Sequence, residues 1–127
     1  MKIKTLLCNC KGLADPFKTS DMNTLPFELE SELDLTYVAV HPQLCAPGGQ
    51  EMMADVLESA EEEPDTYVLV CACAVDAQKK LFKKLIRKSG FDENHLALMD
   101  IRGETNDGIL ERVRVKVESL ANPRKHH

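Results

Sequence analysis

The sequence predicts an α/β protein whose parallel sheet is covered by helices on both faces. Two observations predict it. Short apolar runs rich in β-formers alternate with longer segments of helical period from Lys2 to Leu120, and such alternation builds βαβ units. The chain of 127 residues is also 43% hydrophobic and 29% charged, which suits a single globular domain with one ordinary core.

The elements follow in order. Lys2 to Leu7 is short, apolar and followed by a glycine-bearing turn, so it reads as the first strand. Residues 11–33 hold Gly12, Pro16 and Pro26 without a clean period, and predict loop with one or two short helices. Leu35 to His41 is the second strand, closed by Pro42. Ala46-Pro47-Gly48-Gly49 reads as a turn, and a helix then runs from Gln50 to Glu61 with Met52, Met53, Val56 and Leu57 on one face. Pro64-Asp65 resets the chain before a third strand, Thr66 to Val70. Val75 to Ser89 is helical, with Leu81, Phe82, Leu85 and Ile86 as its buried stripe and Gly90 as its stop. His95 to Met99 is the fourth strand, Asp100 to Gly103 a loop, and Asn106 to Leu120 a last helix with Ile109, Leu110, Val113 and Val117 inward. No internal repeat stands out. The expected architecture is a flavodoxin- or Rossmann-like three-layer sandwich with strand order 2-1-3-4, one domain over residues 1–122. Residues 123–127 read as a C-terminal tail, and His126-His127 suggests the remnant of an affinity tag.

Charge and hydropathy exclude several classes. A formal charge of −5 argues against a nucleic-acid surface. No apolar run is long enough to cross a bilayer, so no membrane insertion is expected. The apolar stretch near Met1 is too short for a secretion signal, which leaves the cytoplasm as the expected compartment. Thiols stay reduced there, and clustered cysteines read as metal ligands or redox groups before structural disulfides.

The five cysteines carry the main functional signal. Cys8 and Cys10 end the first strand, Cys71 and Cys73 the third, and Cys45 lies in the turn after the second. Parallel crossovers bring all these strand ends to one edge, where such sheets bind ligands. Side chains alternate along a strand, so both members of a Cys-x-Cys pair point to one side if the chain stays extended. One such strand alone would read as plain core, since cysteine is a common buried small hydrophobe. Five of five cysteines at one edge point instead to a shared site. Cys-x-Cys is tight for chelating one small ion, whereas zinc sites favour Cys-x₂₋₄-Cys loops. It suits an iron–sulfur cluster, where each sulfur reaches a different iron and four thiolates are the usual set. Gly48, Gly49 and Gln50 open a helix beside Cys45, and their N–H groups and close backbone approach suit an anionic guest.

"LCAPGGQ", "VCACAV" and "DIRGE", in this order, resemble the N-terminal iron–sulfur domain found in the flavin-binding subunit of heterodisulfide reductase and in related proteins. That family opens with a strand ending in Cys-x-Cys-Gly. Here Cys8-Asn9-Cys10 is followed by Lys11-Gly12, so the glycine comes one residue late. Its Cys-Ser-x-x-Gly-Gln-like turn is matched by Cys45 to Gln50, its next strand-ending cysteine by Cys73, and its Ile-Arg-Glu-like element by Ile101-Arg102-Gly103-Glu104. Ala74 stands where the family has serine-proline, and Cys71 is an addition. The resemblance implies a [4Fe–4S] cluster serving anaerobic electron transfer, with a larger flavin and iron–sulfur complex as redox partner. It implies Cys10, Cys45 and Cys73 as ligands, with Cys8 as the fourth and Cys71 in reserve. The family's flavin fingerprint and ferredoxin repeats are absent, so the chain alone is not expected to perform flavin-based bifurcation. It looks like a free-standing or excised cluster domain, an electron-transfer domain or subunit of an oxidoreductase sooner than an enzyme in its own right.

Two other chemistries fit the same residues. Vicinal cysteines could cycle between dithiol and disulfide or carry sulfur, although the Cys-x-x-Cys redox motif is missing. The cysteines could also hold structural zinc. His41 lies near the edge as a spare ligand or an ordinary surface or core histidine. His95 starts the fourth strand at the wrong end and is given no role. Arg102 leaves the fourth strand where it could offset a cluster's charge. The lysines of the third helix read as a solvated face or a docking face for an acidic partner.

Overall fold

Four strands lie side by side and all parallel: β1 (Lys2–Cys8), β2 (Tyr37–His41), β3 (Thr66–Ala72) and β4 (Leu96–Asp100), in the order β2-β1-β3-β4. The structure, a computed structural model, describes residues 1–12 and 15–121. The expected tail at 123–127, and the domain boundary before it, lie outside the described residues. Helices α1 (Leu25–Glu32), α2 (Pro47–Glu61), α3 (Val75–Ser89) and α4 (Asn106–Ala121) connect and flank the strands.

The order explains the layering. From β1 the chain steps outward to β2, then crosses back over β1 to β3 and continues to β4. Right-handed crossovers that reverse direction put their helices on opposite faces. Leu25 and Leu29 of α1 accordingly pack with Ile109 and Val113 of α4 against Ile3, Leu7, Leu69 and Cys71 on one face. Met53 and Leu57 of α2 pack with Phe82 and Ile86 of α3 against Leu6, Cys8, Val68, Val70 and Ala72 on the other. The direction reverses between β1 and β3, and this is where such sheets open a crevice at their C-terminal edge.

The predicted architecture and strand order are those observed. α3 begins and ends as predicted, and its cap Gly90 takes φ 75°, a left-handed turn that suits glycine. Three boundaries differ by more than one residue. β2 starts at Tyr37, although Thr36 already bonds Ile3 in both directions, N–H to Ile3 O at 2.8 Å and Oγ1 from Ile3 N at 3.0 Å. α2 starts at Pro47, so Gly48 and Gly49 belong to its first turn and proline takes the N-terminal place that its missing N–H favours. β3 runs two residues beyond Val70, because Cys71 and Ala72 pair with Met99 and Asp100 of β4.

The opposite edge holds a polar anchor. Lys4 lies on β1 with its side chain only 6% exposed, and its Nζ donates to Glu63 Oε1 at 2.7 Å and Ser59 Oγ at 3.0 Å. Lys2 Nζ reaches the second carboxylate oxygen at 2.6 Å. These hydrogen bonds hold the Glu63 carboxyl down at about 2, against an ordinary 4.5. A depressed folded value adds stability that is present above the unfolded pKa and lost as pH falls through the folded one. Glu63→Gln is therefore expected to destabilise the protein at neutral pH and to narrow its gap from wild type between pH 4.5 and 2. Urea midpoints across that window test this. A gap independent of pH would refute it.

Candidate functional site

The C-terminal edge between β1 and β3 gathers four of the five cysteines. Cys8, the last residue of β1, turns toward α2 and α3, and its sulfur accepts the N–H of Leu44 at 3.4 Å. Leu44 is itself buried and anchors the β2–α2 loop, so this contact ties Cys8 to the neighbour of exposed Cys45. Beyond Cys8 the chain does not stay extended. Cys10 takes φ 49° and opens a 3-10 turn, Cys10–Gly12, with its side chain packed toward the α1 and α4 side. A left-handed non-glycine residue is uncommon and marks a locally imposed geometry. Cys73 sits half-buried in the bend after β3.

These thiols sense one another. The Cys10 thiol is pushed up from its ordinary 9.0 by burial, then by Cys8, Cys73 and Cys45. The Cys73 thiol is pushed up by burial and by Cys8 and Asp100, against lowering by a backbone hydrogen bond and Arg102. Cys71 stands apart from this set. It is fully buried among Leu7, Leu69 and Met99, and desolvation drives its pKa to about 12, with Arg112 pulling weakly the other way. Cys71 does share a side of the sheet with Cys73, as period two requires, but lies one pleat deeper. Among the described residues no three His, Cys, Asp or Glu side chains close on a single point as the ligands of one metal ion do. The thiols at the edge are neighbours without forming such a cage.

The residues around them are specific. Arg102 grips Asp100 with two bonds, Nε to Oδ1 at 3.0 Å and Nη2 to Oδ2 at 2.8 Å, and its positive charge reaches both Cys73 and Cys10. Arg112 donates to the carbonyl of Asp100 from α4. Gly49 has no room for a side chain, since a Cβ would run into the Gln43 carbonyl and the Leu44 backbone, while Gly48 is exposed with His41 beside it. Gly49→Ala must therefore shift the loop that carries Cys45, at a cost of about 1–3 kcal/mol. Thermal unfolding measures this, and an unchanged melting temperature would refute it. Gln50, grouped with Gly48 and Gly49 as suiting an anionic guest, donates its side-chain amide to the Cys45 carbonyl at 2.9 Å.

His41 Nδ1 accepts the N–H of Gln43 at 3.0 Å, so its proton sits on Nε2. His95 stacks on Tyr67 with ring centroids 4.5 Å apart, near the N-terminal end of β3 and away from the thiols. No helix among the described residues is long and apolar enough to cross a membrane.

Gln78 is the residue the sequence reading missed. It is fully buried in α3, and its amide donates to the Cys73 carbonyl at 2.7 Å and the Met99 carbonyl at 3.1 Å. The signal that could have found it is a recurrence: Cys45-Ala46 with Gln50, and Cys73-Ala74 with Gln78, are both Cys-Ala-x-x-x-Gln. The pattern recurs at the starts of α2 and α3.

No protein-family model matches the chain, and no curated protein matches it. The residues of the edge themselves therefore carry the functional reading.

Proposed function

We propose that the protein is a cytoplasmic electron-transfer module holding one [4Fe–4S] cluster on Cys8, Cys10, Cys45 and Cys73, within a redox complex of the heterodisulfide-reductase type. The observation that carries this reading is the set of interacting thiols at the strand-order switch, supplied by the last residue of β1 and the segments after β1, β2 and β3. The donor set fits the group in kind and number, because four thiolates are what such a cluster takes. Free thiolates there would repel one another, and this repulsion adds to burial, the larger cause, in raising the pKa values of Cys10 and Cys73. A cationic iron core removes that repulsion. When bound, the cluster supplies a site that gains and loses one electron at a time. The chain's part is to hold the thiolates, to donate the Leu44 N–H to the Cys8 sulfur, and to set the Arg102 charge beside Cys73 and Cys10. Hydrogen bonds and positive charge of this kind raise a cluster's potential.

The same pKa directions weigh against Cys10, Cys71 or Cys73 as the nucleophile of a thiol enzyme. A nucleophilic cysteine needs its pKa lowered, and those of Cys10, Cys71 and Cys73 are raised. Zinc on the same thiols would need them to close on one point, which a larger guest does not require.

Anaerobic preparation with iron and sulfide tests the reading. We expect about four irons and four sulfides per chain and absorption near ~400 nm. A preparation that takes up neither iron nor sulfide, yet turns over disulfides or retains stoichiometric zinc, would overturn it.

A further inference from the structure

We propose that Gln50 and Gln78 are positioning residues of one device used twice, which aims the thiols of Cys45 and Cys73 at the shared edge. The proposal rests on the cluster reading above and goes beyond it by assigning what holds two of the ligands.

The two copies agree residue by residue. In each, the cysteine comes just before an alanine that caps the helix, and the glutamine is the fourth helical residue. Both alanines are extended at ψ, 161° for Ala46 and 137° for Ala74. In each, the glutamine N–H donates to the alanine carbonyl, at 2.9 Å in α2 and 3.0 Å in α3, while its side-chain amide donates to the cysteine carbonyl. Two bonds from one residue thus hold two successive peptide planes. They fix φ and ψ of the alanine between those planes, and so where the cysteine's Cα sits against the helix start.

Helix stability alone does not ask for this arrangement. A serine, threonine or aspartate at the cap would stabilise either helix better than alanine, and neither alanine makes a side-chain cap bond. Gln78 makes the point more strongly. Its side chain is fully buried, its two amide hydrogens go to Cys73 and Met99, and its Oε1 finds no donor among the described residues. A buried acceptor without a donor is destabilising, and methionine would fill the same volume without that penalty. What glutamine offers and methionine does not is the grip on the Cys73 carbonyl. Through Met99, that grip also ties the Cys73 bend to the strand leading into Asp100 and Arg102.

The test uses Gln50→Met and Gln78→Met in the full chain, with two readouts besides thermal stability. In the metal-free protein, iodoacetamide labelling is followed cysteine by cysteine by mass spectrometry. Gln50→Met is expected to change the rate at Cys45 and Gln78→Met the rate at Cys73, each by about fivefold, the worth of one net hydrogen bond, and to leave the other cysteine alone. In the iron- and sulfide-loaded protein, each variant is expected to lose its cluster to a chelator about fivefold faster and to shift its electron paramagnetic resonance spectrum. Labelling rates within twofold of wild type at the paired cysteine would overturn the proposal, as would changes that merely track the melting temperature at all cysteines. If the wild type takes up no cluster, the cluster reading fails and the labelling experiment alone decides the device. If Gln78→Met does not fold, the half-exposed Gln50 decides through Cys45.

Discussion

Serine at Cys8, Cys10, Cys45 or Cys73 is expected to strip most of the cluster from the anaerobically loaded protein, whereas Cys71→Ala should retain it. Removing groups that merely support metal ligands already weakens metal sites by about 10–100-fold, so loss of a ligand sulfur should reach at least the upper end of that range. Cys71 is expected to differ because it sits one pleat below the edge. The charge it senses is Arg112 rather than another thiol, whereas Cys10 is raised by Cys8, Cys73 and Cys45 together. Cys71→Ala removes a small buried atom and is expected to lower stability modestly, by about 1 kcal/mol. Iron and sulfide per chain, measured on all five variants, is the decisive quantity. Cluster loss in Cys71→Ala equal to that in Cys45→Ser would sink the assignment.

Loading should also depend on pH with a defined sign. Ligand thiols bind as thiolates, and Cys10 and Cys73 titrate above their ordinary 9.0 in the metal-free protein. Loading near neutral pH must then release protons, and apparent affinity must fall as pH is lowered. Variants that remove the Arg102 charge should load less well, since that charge draws the Cys73 pKa down.

The fold was readable because strands buried on both faces are short continuous apolar runs, and because helical stripes such as Phe82 and Ile86 keep their period. Gly90 marked the end of α3 for a reason a sequence displays, its freedom at positive φ. The thiol edge was readable from cysteines at strand ends together with crossover handedness. Depth was not. Period two places Cys71 and Cys73 on one side of the sheet but cannot say how far β3 runs, and pairing with Met99 and Asp100 of β4 carries it past Val70. Nor could spacing foresee that Cys10 leaves the extended conformation, since a left-handed non-glycine residue has no reliable local signature. The glutamines were hidden for a different reason. A side-chain bond to a carbonyl five residues back has no periodic trace, and it becomes visible only when both helix starts are aligned.

Iodoacetamide should label Cys45 first in the native metal-free protein and Cys71 last, with Cys71 slower than a free cysteine by about a thousandfold or more. The thiolate is the reactive form, so rate follows the thiolate fraction and access. A pKa of about 12 in place of 9.0 lowers that fraction at neutral pH by about a thousandfold. The greater nucleophilicity of a more basic thiolate recovers part of this factor. Burial more than removes the recovery, since Cys71 is 0% exposed and must await local opening of the β3–β4 pairing. Cys45, exposed in its loop, faces no such barrier. Raising pH toward 9 should leave Cys71 protected, because its own titration lies higher. In urea beyond the unfolding midpoint the two rates should converge, because both thiols then have ordinary surroundings. Rapid native labelling of Cys71 would show that its sulfur reaches solvent. It would then have to be counted among the thiols of the edge, and the choice of Cys8 as the fourth ligand would need to be reopened.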